Sequence, residues 1–182
     1  MSILKKGMLQ VYTGEGKGKS TAAFGLAARM LGVGGRVYIC QFLKPAELRT
    51  GEAVWAERFS DRLTLDRLNQ PWNMGSSSSD LRQVEQMSVV IGEKLGQIKQ
   101  LAAEGEYDLV ILDELVFCLS KHLASWEDVS SVIDSRAGHV ELVLTGRGAD
   151  ERLLEYADLV TVMQNLKHPY EQNIEARKGI EY

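Results

Sequence analysis

A chain of 182 residues has the length of one domain and can bury ~70% of its unfolded surface without disulfide or metal staples. Its formal net charge of −4, with 45% hydrophobic residues, argues against a general nucleic-acid binder and fits a water-soluble enzyme whose positive charge is gathered at one anion site. No run is long and apolar enough to span a bilayer, no signal-like segment precedes the first strand, and Cys40 and Cys118 read as buried free thiols. The expectation is a cytoplasmic protein with one domain over residues 1–182 and an irregular tail over 165–182.

Met8 to Tyr12 reads as a buried strand, and Ala22 to Leu31 carries a helix pattern rich in Ala and Leu. Between them lies Thr13-Gly14-Glu15-Gly16-Lys17-Gly18-Lys19-Ser20-Thr21. A strand, a glycine-rich turn and a helix opening on Gly-Lys-Ser form the frame of a phosphate-binding loop. Small residues let backbone N–H groups approach phosphate oxygens, and the start of a helix favours an anion. Lys19 supplies a charge to the phosphates, and the Ser20 hydroxyl is a candidate Mg²⁺ ligand. Thr13 stands where the usual pattern has its first Gly; counted from Gly14 the loop is one residue short, and Lys17 makes it unusually basic.

Arg36 to Phe42 is a second strand, with Gln41 and Lys44 at its carboxyl end, where open α/β sheets bind ligands. A short helix is expected over Thr50 to Phe59, and an exposed edge strand over Leu63 to Leu68. Asn69 to Ser79 is a loop of turn formers and the candidate mobile lid. Within it Trp72 and Met74 are either core anchors or contacts to a bulky ligand. Asp80 caps a long helix from Leu81 to about Ala103, whose stripe of Val84, Met87, Val90, Ile91, Leu95, Ile98 and Leu101 faces a core. Tyr107 to Glu114 opens with an apolar run that suits a central parallel strand and ends in Asp113 and Glu114. Either acid alone reads as a helix cap or a surface group, but after a buried strand in a chain with a phosphate loop the pair resembles the strand-terminal Asp that holds Mg²⁺ directly or through water.

Trp126 to Ser135 reads as a helix capped by Ser125, and Val140 to Leu144 as a strand running into Thr145-Gly146-Arg147-Gly148. Arg147 among glycines at a strand end suits a phosphate or ribose contact. Asp150 to Tyr156 is a short helix and Asp158 to Met163 a last strand. His168, in the tail, is either a ligand-site residue or a surface histidine. The fold expectation is a single α/β domain with a mostly parallel central sheet flanked by helices.

Five motifs, in this order and spacing, resemble the P-loop type of ATP:corrinoid adenosyltransferase. They are Thr13 to Gly25, Gln41-Phe42-Leu43-Lys44, Leu112-Asp113-Glu114, Thr145-Gly146-Arg147-Gly148 and Gly179-Ile180-Glu181-Tyr182. The resemblance implies transfer of the 5′-deoxyadenosyl group of ATP to the reduced cobalt of a corrinoid, with release of triphosphate. It further implies a RecA-like P-loop α/β domain, a homodimer, Mg²⁺ or Mn²⁺ as the metal, and an external reductant such as a flavoprotein. Thr13, Gly14, Gly16, Lys17, Gly18, Lys19, Ser20, Thr21, Gln41, Lys44 and Arg147 are the implied nucleotide contacts. Ser20, Asp113 and Glu114 are the implied metal partners, and Lys19, Glu114 and Trp72 the implied catalytic set. Two departures from the family stand out. The N-terminal helix that folds over the corrinoid is expected to be missing, and Gln70 stands where the family has a Phe that works with the Trp at Trp72. The competing readings are a P-loop ATP hydrolase or kinase, and a non-catalytic nucleotide-dependent corrinoid carrier.

Overall fold

A computed structural model describes residues 2–44, 47–68, 72 and 80–181. Six strands form one sheet: β1 (Leu9–Thr13), β2 (Val37–Gln41), β3 (Leu63–Arg67), β4 (Leu109–Asp113), β5 (Glu141–Thr145) and β6 (Leu159–Val162). Their order is β3-β2-β4-β5-β1-β6, and every neighbouring pair is parallel. The helices between them are α1 (Lys19–Gly32), α2 (Gly51–Arg58), α3 (Leu81–Glu104), α4 (Leu115–Ser120), α5 (Trp126–Ser135) and α6 (Glu151–Tyr156). This is the expected α/β class.

The inner strands are apolar because both of their faces are covered. Successive residues alternate between two cores. Val110 and Leu112 of β4 enter a core shared with Met87, Ile91, Leu95 and Ile98 of α3. Leu109 and Ile111 enter a second core with Ala23, Ala27 and Leu31 of α1. The α3 stripe is thus the one its spacing predicts, and the side chains of Asp80 and Ser125 cap their helices by accepting from Arg82 and Asp128 amides. Cys40 and Cys118 are buried free thiols, as expected.

Three features differ from the sequence reading or add to it. Leu115–Ser120 forms a short helix, α4, that follows β4 directly; its apolar run merges with the strand and hides the boundary. The strand β3 lies at a sheet edge, as its alternation predicts, yet the side chain of its last residue, Arg67, is only 6% exposed. The opposite edge strand, β6, is exposed along its whole length. Apart from Trp72, the loop expected to serve as a lid lies outside the described residues, and so do Gln70 and Met74.

Candidate active site

The loop after β1 turns into α1 at Gly18, which holds a left-handed φ of 116°. No side chain caps this helix, and no acid lies in its first turn. The first-turn amides of α1 therefore face outward with their share of the helix dipole, ready for an anion. Gly14 is needed for a second reason. At φ 95° a Cβ there would stand 2.4 Å from the carbonyl oxygen of Met163, so the loop packs against the end of β6. The Gly16 amide donates to that same carbonyl at 2.7 Å, and Thr13 Oγ1 accepts from the Ala149 amide at 3.4 Å.

Lys19 is buried. Its Nζ donates to the carbonyls of Gly14 and Gly16, both at 2.7 Å. Burial pulls its pKa below the ordinary lysine value; Glu114 pulls the other way, and Arg147 adds to the lowering. Lys17 is more exposed and reaches Glu181 in the tail at 2.7 Å. Arg147 pairs with Glu15 of the loop at 2.9 Å across the surface. Two cations thus sit at the rim, each held by a carboxylate.

The acids lie beyond β5. Asp113, 1% exposed, has both oxygens engaged: Thr145 Oγ1 donates to Oδ1 at 2.7 Å, and Gln41 Nε2 to Oδ2 at 3.2 Å. Glu114 follows in a left-handed conformation, φ 65°, with its amide donating to Thr145 Oγ1 at 3.0 Å. Its carboxylate has no hydrogen bond or ion pair among the described residues. Burial, then the neighbouring Asp113, raises the Glu114 pKa, while Lys19, Arg147 and Lys44 oppose the rise. A free, half-buried carboxylate in the field of Lys19 is a fitting oxygen donor for a hard divalent cation. Ser20, in the first turn of α1, carries a second candidate oxygen, and Asp113, with both oxygens engaged, is the supporting member of the pair. No cluster of three His, Cys, Asp or Glu side chains suited to a metal occurs among the described residues.

Gln41, 1% exposed, is engaged at both ends of its amide, and Lys44 pairs with Glu52 at 2.6 Å. Burial pushes Glu52 upward, but the bonds from Lys44 and Gln41 win and hold its carboxyl below the usual range. The sequence expectation of direct nucleotide contact for Gln41 and Lys44 therefore meets side chains already tied to acids. Trp72 packs against the larger core, as Leu43 and Val84 do, and its Nε1 is buried with no acceptor among the described residues. A cavity of about 350 Å³ opens beside the loop, lined among others by Ser20, Thr21, Phe24, Trp55 and Ile180. A second, of about 260 Å³, lies on the other side between Glu15, Arg147 and His168. His168, left open by the sequence, faces this second cavity, and its Nδ1 accepts from the Tyr170 amide.

Sequence reasoning missed four participants: Glu52, Arg67, Thr145 and Glu181. Thr145 and Glu181 stood within quoted motifs without a role. Arg67 carried no signal, because a charged residue in an alternating edge strand reads as solvated.

The model of the family described as ATP:corrinoid adenosyltransferase BtuR/CobO/CobP matches residues 5–182. A corrinoid adenosyltransferase of Pseudomonas aeruginosa is 35% identical over 98% of this chain and 85% of its own length. The corrinoid adenosyltransferase CobA of Salmonella typhimurium is 32% identical over 98% of this chain and 87% of its own. Among solved structures, the flagellar accessory protein FlaH of Methanocaldococcus jannaschii superposes with a TM-score of 0.58 over 87% of this chain and 72% of its own; at 14% identity the likeness is one of fold.

Proposed function

We propose, for a chain that belongs to the ATP:corrinoid adenosyltransferase family, that it transfers the 5′-deoxyadenosyl group of ATP to the Co(I) centre of a corrinoid. The electron pair of Co(I) attacks C5′ of ATP. A cobalt–carbon bond forms, the C5′–oxygen bond breaks, and triphosphate leaves with the bonding pair. Co(I) is itself a strong nucleophile, so no side chain has to deprotonate water or a hydroxyl. What remains for the protein is to hold the two substrates in line and to stabilise the departing polyanion.

The observation that carries this reading is the arrangement at the head of α1. An uncapped helix start and the adjoining Lys19 offer positive charge to an anion, and Glu114, whose carboxylate has no partner among the described residues, is near enough to raise the Lys19 pKa against burial. Lys19 and the loop amides bind the phosphates, with Lys17 and Arg147 at the rim. Glu114 and Ser20 would hold a divalent cation, Mg²⁺ or Mn²⁺, which when bound supplies further positive charge to the triphosphate. Trp72 is assigned to the corrinoid side. There its indole takes the place of cobalt's lower ligand and favours a four-coordinate Co(II) that is easier to reduce.

The reading includes a homodimer, a cytoplasmic setting and an external electron donor such as a flavoprotein. No helix among the described residues is long and apolar enough to cross a membrane. The test is an anaerobic assay with ATP, Mg²⁺, cobalamin and a reductant strong enough to make Co(I). Adenosylated corrinoid with triphosphate is the expected product pair; ADP and phosphate would instead indicate a hydrolase.

A further inference from the structure

The carboxyl ends of four neighbouring strands are tied by one line of hydrogen bonds that follows the sheet order β3-β2-β4-β5. It starts at Arg67, whose Nε donates to Gln41 Oε1 at 2.8 Å. Gln41 Nε2 passes on to Asp113 at 3.2 Å, and Thr145 Oγ1 reaches the other oxygen of Asp113 at 2.7 Å. Thr145 Oγ1 in turn accepts the Glu114 amide at 3.0 Å. Gln41, Asp113 and Thr145 are buried, and the side chain of Arg67 is only 6% exposed.

We propose that Arg67 is a positioning residue for the metal side of this nucleotide site, acting through Gln41 and Asp113 on Glu114. The inference rests on the proposed reading of that site. The reason is polarity. A guanidinium has only donors, so it fixes the oxygen of the Gln41 amide toward itself and turns the NH₂ toward the acids. The same Nε2 also lies 3.3 Å from Glu52; a flipped amide would set its oxygen against two carboxylates. With Nε2 on one Asp113 oxygen, the other is left for the Thr145 hydroxyl. That hydroxyl, its proton committed, can accept from Glu114 and hold its left-handed backbone. A fully satisfied buried network of this kind fixes geometry more than it adds stability.

Arg67 also fastens the segment before α2, through Leu48 O and through Thr50 Oγ1 at 2.7 Å. The test must separate that task from the relay. ATP binding is measured by calorimetry with and without Mg²⁺ on the wild type, Arg67→Met, Gln41→Met and the double variant. Arg67→Met should weaken Mg²⁺-dependent ATP binding ~tenfold, the effect of losing one buried charge-assisted hydrogen bond. Metal-free ATP binding should stay within about twofold, since the phosphate loop is untouched. The double variant should be no worse than Gln41→Met, as expected for members of one chain.

Equal loss with and without metal, multiplying effects in the double variant, or a wild type indifferent to Mg²⁺ would each overturn the proposal. If Arg67→Met does not fold, Arg67→Lys decides. It keeps one donor for Gln41 and gives up the fork, so it should retain the Mg²⁺ preference while melting at a lower temperature. Loss of the preference with that donor kept would contradict the relay. The binding readout is independent of the products formed by the wild type, which judge the proposed reaction on their own.

Discussion

The two flanks of the phosphate loop are built differently. On the strand side, Asp113, Gln41 and Thr145 are buried, the Arg67 side chain is nearly so, and the four satisfy one another. On the loop side, Lys17–Glu181 and Arg147–Glu15 are ion pairs at the surface. Buried polar groups must keep their partners, because a lost partner leaves a desolvated atom unpaired. Exposed pairs exchange partners at little cost, being worth only ~0.2–1 kcal/mol. One flank is a fixed frame for Glu114, the carboxylate proposed to hold a metal, and the other is a rim whose cations can leave a carboxylate for a phosphate. Lys19 stands between them, buried like the first and donating to loop carbonyls that belong to the second.

The largest effect should come from that central residue. Lys19→Ala is expected to lower kcat/KM for adenosyl transfer by ~10²–10³-fold, the scale of removing one transition-state donor; steady-state kinetics over ATP concentration check it. The fixed flank comes next. Thr145→Val strips Asp113 and the Glu114 amide of a buried partner and should cost ~1–3 kcal/mol of stability in a denaturant titration. A cost within the surface range would erase the contrast between the flanks.

Trp72→Ala should leave ATP affinity within about twofold, because the side chain packs against the core and its proposed role lies with the corrinoid rather than the phosphates. It should slow transfer mainly when the corrinoid is supplied as Co(II); an unchanged Co(II) route would remove the assigned role. The rim should give the smallest change. Arg147→Ala is expected to leave the melting temperature unchanged and to raise the KM for ATP by a few-fold, as for a screened surface charge.

The Lys17–Glu181–Arg177 cluster adds a pH signature. Hydrogen bonds from Arg177 and then Lys17 hold the Glu181 carboxyl at about 2, below its ordinary 4.5. A depressed acid stabilises the folded contact above its unfolded pKa and loses that contribution as the pH falls through the folded value. The tail anchor should therefore be intact above 4.5 and release toward pH 2. A carboxyl titration of Glu181 by NMR checks this, and ATP should displace Glu181 from Lys17 and shift the midpoint upward.

Much of this was legible in the chain. The loop frame, the strand ending in Asp113 and Glu114, and the α3 stripe follow from glycine spacing and from periods of two and three point six. What the sequence hid were residues whose role depends on where strands lie in space. Arg67 is 26 residues from Gln41, and only the parallel β2–β3 register sets them side by side. Thr145 is 32 residues from Asp113, and it acts because β5 lies next to β4. Gln41 and Lys44 lie at and just past the carboxyl end of β2, but their partners could not be read from residue type alone. Glu181 closes a span of 164 residues to Lys17, which no local pattern announces.

The most direct test of the central claim is the product analysis of the wild-type protein, given ATP, Mg²⁺ and chemically reduced cobalamin under anaerobic conditions. The account predicts a light-sensitive adenosylated corrinoid and triphosphate in equal amounts. ADP and phosphate with no cobalt–carbon bond would contradict it.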